Sequence, residues 1–140
     1  MPPEPIRFDS AGFDLQNRFQ STQTVAASPT DSTETVIATL TLANFGDIAV
    51  LGGIRLHGWA ALTVGTNGVS CNLRIRKTNV SGAVVVATGA TTTTAANLIV
   101  REAISRDAAP GVGVYVLTLE VGSASAGSTV SACHLGAIII

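Results

Sequence analysis

Four side chains in this 140-residue chain have the reactivity for chemistry near neutral pH: His57, His134, Cys71 and Cys133. Histidine is the side chain whose unperturbed pKa lies near neutrality, and cysteine offers a thiolate as nucleophile or metal ligand. Cys133 and His134 are adjacent, and consecutive side chains of a strand point to opposite faces. They therefore cannot act jointly on one substrate or hold one metal. Cys133 reads as a small buried residue beside a strand histidine. Cys71 has no Asp or Asn placed to orient an imidazole beside it. The two cysteines form neither a CxxC pair nor a metal-ligand spacing, and they read as free thiols of a reducing compartment. Asp47, Glu102, Asp107 and Glu120 are isolated carboxylates, and none belongs to the alternating acidic array of a calcium loop. Gly111-Val112-Gly113 lacks the Lys and the following helix of a phosphate loop. The sequence predicts no catalytic residue, no metal and no cofactor, and so a protein that is not an enzyme.

Two further groups have the chemistry of recognition. Arg55, His57 and Trp59 alternate along one strand face, an arrangement that suits either stacking on a sugar or base or packing against a sheet or subunit. Arg74, Arg76 and Lys77 make a basic strand face, which is either solvated or meets an acidic partner. Charge is unevenly divided along the chain. The first 35 residues carry five acids and two bases, and the remainder four acids and six bases. An acidic leader meeting a basic body, its own or a neighbour's, is the contact this division invites.

Charged residues are 12% of the chain, against about 25% in an ordinary globular domain, while 46% of residues are apolar. Serine and threonine, 28 of the 140, supply the polarity instead. Such a surface suits a protein that hides much of itself against other subunits. The net charge of -1 leaves no electrostatic footprint for nucleic acid. No apolar run reaches the length of a transmembrane helix, and the Met1-Pro2-Pro3-Glu4-Pro5 start lacks the basic and apolar regions of a signal peptide.

The elements that must position these residues follow from period-two alternation. In 35–42, Val36, Ala38, Leu40 and Leu42 fall on one face and the threonines on the other. Ile54, Leu56, Gly58, Ala60, Leu62 and Val64 line one face of a long strand, which ends at the Asn67-Gly68 turn. Cys71, Leu73 and Ile75 face inward on the next, and Asn79-Val80-Ser81-Gly82 turns the chain into strand 83–88. A loop at 91–94 leads to strand 98–104. In 114–121, Tyr115, Leu117, Leu119 and Val121 point in. The last strand, 129–140, is apolar on both faces, with Leu135, Ala137 and Ile139 on one and Ala132, Ile138 and Ile140 on the other. Either it lies central in its sheet under a second layer, or its outer face meets a neighbouring subunit. No window carries a helix. The fold class is all-β, an antiparallel sandwich of about eight strands over residues 34–140. Residues 1–33 form an extended N-terminal arm that holds Phe8, Phe13 and Phe19, three of the four phenylalanines.

The Gly52-Gly53-Ile54-Arg55-Leu56-His57-Gly58-Trp59 strand, the basic Asn72-Leu73-Arg74-Ile75-Arg76 strand, the strand from Gly113 through Tyr115 to Leu119 and the closing 130–140 run share a pattern. Together they resemble the compact jelly roll of the TNF/C1q-like type that recurs in virion proteins of tailed bacteriophages. The resemblance covers residues 34–140. It implies a homotrimer about a threefold axis, and for a small stand-alone member a capsid decoration (cement) protein. Aromatic residues usually help fill that axis, but this body has only Phe45, Trp59 and Tyr115. The threefold contact is therefore expected to be aliphatic, through Leu135, Ala137 and Ile139. The arm is expected to bind the major capsid protein, with Phe8, Phe13, Leu15 and Phe19 as anchors and Arg7 and Arg18 as polar rim contacts. The implied location is the capsid surface of a virion, after synthesis in the host cytoplasm, with no nucleic-acid or membrane partner. The alternative is a trimeric receptor-binding or fibre-knob domain using loops 65–68, 90–97 and 122–128.

Overall fold

The alternation of buried and exposed residues dictates where each strand lies in the computed structural model. It describes residues 19–24, 33–42, 53–63, 70–89, 91–92, 98–109, 113–122 and 129–139. Their strands are β1 (Phe19–Thr24), β2 (Thr35–Thr41), β3 (Ile54–Thr63), β4 (Ser70–Lys77), β5 (Val84–Ala87), β6 (Thr91–Thr92), β7 (Leu98–Asp107), β8 (Val114–Val121) and β9 (Thr129–Ile139). One sheet has the order β1-β9-β3-β7; the other has β2-β8-β4-β5, with β6 also on β4. All pairings are antiparallel.

β8 occupies one edge of β4 along its length, so β5 and β6 share the other. They are two pieces of one edge strand, interrupted at Gly89, whose φ of 75° is a conformation glycine adopts without a Cβ penalty. Thr88 bridges the break, its N–H donating to Leu73 O at 2.9 Å and its hydroxyl accepting from Leu73 N at 3.1 Å. With β5 and β6 counted together, eight strand positions remain. Every connection except that from β4 to its neighbour β5 crosses from one sheet to the other. This is the wrapped path of a jelly-roll sandwich, as expected.

Inward residues of both sheets form the core: Ile54, Leu56 and Leu62 of β3, Leu73 and Ile75 of β4, and Leu117 and Leu119 of β8 are fully buried. The sheets approach closely at Gly58. A Cβ there would stand 2.6 Å from Leu117 Cδ1 and 3.4 Å from Ile75 Cδ1, so the absent side chain sets the local spacing.

Three expectations are corrected. Val36 is exposed and Ile37 buried, because the β2–β8 register shifts between Val36 and Ala38; the extra residue of a bulge reverses which side chain faces in. Thr91 and Thr92 are a short strand rather than loop. The separation of arm from body at residue 33 does not hold for Phe19–Thr24, which pair with β9 as an edge strand of the sandwich. β9 itself lies between β1 and β3, central in its sheet as the first alternative held, but no second layer of this chain covers its outer face, where Ile138 is 39% exposed. A second bulge separates Ala132 and Val130 along their pairing with β3. It brings Val130 as well as Cys133, Leu135 and Ala137 into the core.

Candidate functional site

The potentially reactive residues divide between core and surface as their alternation requires. Cys71 and Cys133 are buried free thiols. The Cys133 thiol donates inward to Ile37 O at 3.2 Å, whereas His134 lies on the outer face of β9. Burial pushes the Cys71 pKa up against the opposing charge of Arg101, so its thiol is held in the unreactive protonated form. Among the described residues no group of three or more His, Cys, Asp or Glu side chains is arranged to hold a metal.

The outer face of the β2-β8-β4-β5 sheet is closed by a charge network. Arg76 makes a two-pronged contact with Glu34, Nε to Oε1 at 2.6 Å and Nη2 to Oε2 at 2.8 Å, and its Nη1 donates to Gly82 O at 2.8 Å. Arg74 Nη1 lies 2.9 Å from Glu120 Oε2 and 3.3 Å from Glu34 Oε2. The Thr118 hydroxyl donates to Glu34 Oε1. The network covers Thr118, an outward residue of β8 that is 0% exposed. Burial by itself raises the Glu34 pKa, but hydrogen bonds from Arg76 and Thr118 and the charges of Arg74 and Arg76 outweigh it and leave the carboxyl below its usual range. The acidic partner of the basic strand is thus carried by the same chain.

A second cluster closes one end of the sandwich. Asp107, buried at the end of β7, accepts from the Tyr115 hydroxyl at 2.7 Å and from Ala109 N at 3.1 Å, and pairs with Lys77 Nζ at 2.9 Å. Burial raises its pKa, yet these contacts prevail and lower it. Burial and the Asp107 carboxylate push Tyr115 far up. Lys77 also donates to Ala109 O at 2.9 Å. Every polar group here is used in tying β4, β7 and β8 together, a structural role.

The outer face of the β1-β9-β3-β7 sheet is open. His57 Nε2 and Glu102 Oε1 are 2.7 Å apart, both side chains about half exposed. Trp59 stacks on His134 with ring centroids at 6.2 Å and a 20° interplanar angle, and His57 meets His134 edge-on at 6.4 Å. Burial lowers the His134 pKa and the neighbouring His57 adds to the effect. Around this polar centre stand Val100, Ile104 and Ile138, exposed to 62%, 58% and 39%. A half-wet aromatic and imidazole platform edged by exposed branched aliphatics is the composition of a contact surface rather than of a solvated one.

The expected site residues separate in the same way. Arg7, Phe8, Phe13, Leu15 and Arg18 lie outside the described residues. Phe19 opens β1, its backbone opposite Ile138. Leu135 and Ala137, expected at a threefold contact, are 0% and 3% exposed in the domain's own core, so that expectation is corrected: the opposite sheet already covers them. Ile139 pairs its backbone with Ile54; its side chain lies outside the described part. Glu34, Thr118 and Glu120 were not singled out as one network by the sequence. Neither was the Asp107–Tyr115–Lys77 cluster, since their partners meet only across strands.

No family model matches the chain, and no curated protein matches it. Solved structures do. The Gx strain structure of infectious bursal disease virus superposes with a TM-score of 0.57 at 13% identity, covering 99% of this chain and 37% of that one. The VP2 subviral particle of the same virus gives 0.55 at 13% identity, again over 99% of this chain and 37% of the other. The chain therefore spans little more than a third of the length of these neighbours. At such identity the likeness is one of fold, and it agrees with the jelly-roll sandwich read from the strand order.

Proposed function

We propose that this protein is a structural component of a virion, a decoration (cement) protein of a tailed bacteriophage whose segment ahead of β1 binds the major capsid protein. The observation that supports the reading is the jelly-roll strand order of this chain together with its likeness of fold to the VP2 subviral particle structure. Docking proceeds through Phe8, Phe13 and Leu15, each contributing about 1.5–3 kcal/mol if fully buried, with Arg7 and Arg18 at the rim. Copies gathered as a homotrimer present three such segments, and each that docks raises the effective concentration of the next. The threefold contact then uses surfaces other than Leu135 and Ala137. Bound copies favour the assembled particle by mass action, and the protein resides on the capsid surface.

Removing residues 1–18 tests this reading while leaving β1 whole. The truncated protein is expected to fold but no longer to cosediment with capsids lacking the native protein. Undiminished cosedimentation would refute the arm as the capsid-binding element.

A further inference from the structure

The open face of the β1-β9-β3-β7 sheet is ordered by its register. On β3 and β7, His57 stands opposite Ile104. Two residues to one side, Arg55 stands opposite Arg106; two residues to the other, Trp59 stands opposite Glu102. A strand advances about 3.3 Å per residue, so the arginine row and the Trp59–Glu102 row are about 13 Å apart, with the His57–Ile104 row midway. Arg55, Arg106, Glu102 and Ile104 are all exposed.

This order, cationic at one end and anionic and aromatic at the other, is complementary to its own reverse. We infer that the face is a contact between two copies of this chain, related by a twofold axis that runs across the strands through the His57–Ile104 row. That operation lays Arg106 of each copy over Glu102 of the other, and Arg55 over the Trp59 indole, an ion pair and a cation–π contact. It sets Ile104 against Ile104 on the axis, where two exposed branched side chains cover one another. A self-complementary patch is what a twofold interface demands. The other twofold lying in the sheet plane, along the strands, brings the arginine row against itself and is excluded by charge.

The size of the face agrees. Four strands spaced about 4.8 Å apart, β1 of six residues and β3, β7 and β9 of ten, ten and eleven, cover roughly 600 Å². Two such faces bury roughly 1,200 Å², the lower bound for a specific interface. Sheets stacked at about 10 Å, with strand directions within about 30°, leave room for these side chains to interdigitate. An unrelated partner would require no such symmetry about the central row. The contact is independent of the virion reading, since it pairs two protomers whether or not each also belongs to a trimer, and a trimer is doubled by it where the twofold meets the threefold axis.

The test is the limiting mass in sedimentation equilibrium over a range of concentrations, for the wild type and for Glu102→Arg, Arg106→Glu and the doubly exchanged protein. Both residues are exposed, so the single variants are expected to retain the wild-type circular dichroism spectrum. Each single exchange opposes like charges across the axis and is expected to halve the limiting mass, and the double exchange to restore it. A wild-type mass unchanged by either single exchange overturns the contact, as does a folded double exchange that fails to recover the wild-type mass. Residues 1–18 are intact in all four proteins, so this result and the capsid-binding result can fail separately.

Discussion

The two outward sheet faces of this sandwich solve the same problem in opposite ways. On the five-stranded side, Glu34 and Glu120 neutralise Arg76 and Arg74, and Thr118 is sealed beneath them. On the four-stranded side, Glu102 pairs with the half-exposed His57, and Val100 and Ile104 are more exposed than Val36 and Val84, the exposed aliphatics of the five-stranded side. A face whose charges are satisfied within the chain has little to offer a partner. One that leaves aliphatics, an indole and unneutralised arginines exposed keeps its free energy for association.

Arg76→Ala strikes the closed face hardest. It strips Glu34 of its two-pronged partner and leaves a mostly buried carboxylate, a loss expected at about 2–4 kcal/mol in urea unfolding. Gly58→Val acts between the faces, forcing a side chain against Leu117 and Ile75. Overpacking of this kind is expected to cost about 1–3 kcal/mol, read as a lowered Tm.

Acid is expected to act in two windows. Glu34 and Asp107 have folded pKa values below their ordinary 4.5 and 3.8. The stability they contribute is present above those values and is lost as pH falls through the folded pKa. His134 titrates in the fold below its ordinary 6.5, so the unfolded chain takes up protons first and stability falls as pH drops from above 6.5 to the folded pKa. His134→Gln should remove this upper step from a plot of unfolding free energy against pH and leave the lower one. Persistence of the upper step would mean that the titrating group lies elsewhere.

On the open face, His57→Ala breaks the half-exposed pair with Glu102 and the edge-on contact with His134. The single-chain stability is expected to change by no more than about 0.5 kcal/mol in chemical denaturation. A loss as large as that of Arg76→Ala would erase the contrast between the faces.

Much of the core was legible because a strand alternates with period two. Leu56, Leu62, Leu73, Ile75, Leu117 and Leu119 were all placed inward by counting residues, and all are fully buried. Even Gly58 was assigned to the inner face, though only the other sheet reveals that Leu117 requires it to be glycine. Counting failed at Val36, where a bulge inserts a residue without a mark in composition. It failed also to pair Arg76 with Glu34, 42 residues away in the chain. The exposed face was partly readable, in that Arg55, His57 and Trp59 were placed together. His134 and Glu102 joined them only when β9 and β7 took their places beside β3.

The sequence by itself determined the fold class, the inward face of most strands and the opposite facing of Cys133 and His134, because each is a property of local periodicity. Tertiary structure decided what covers each outward face. It put Leu135 and Ala137 under the domain's own second sheet rather than at a subunit boundary, closed Arg74 and Arg76 with Glu34, and left the Trp59 face open. Coverage is a property of strand order, and strand order joins residues far apart in the chain through pairings that no single strand's pattern specifies.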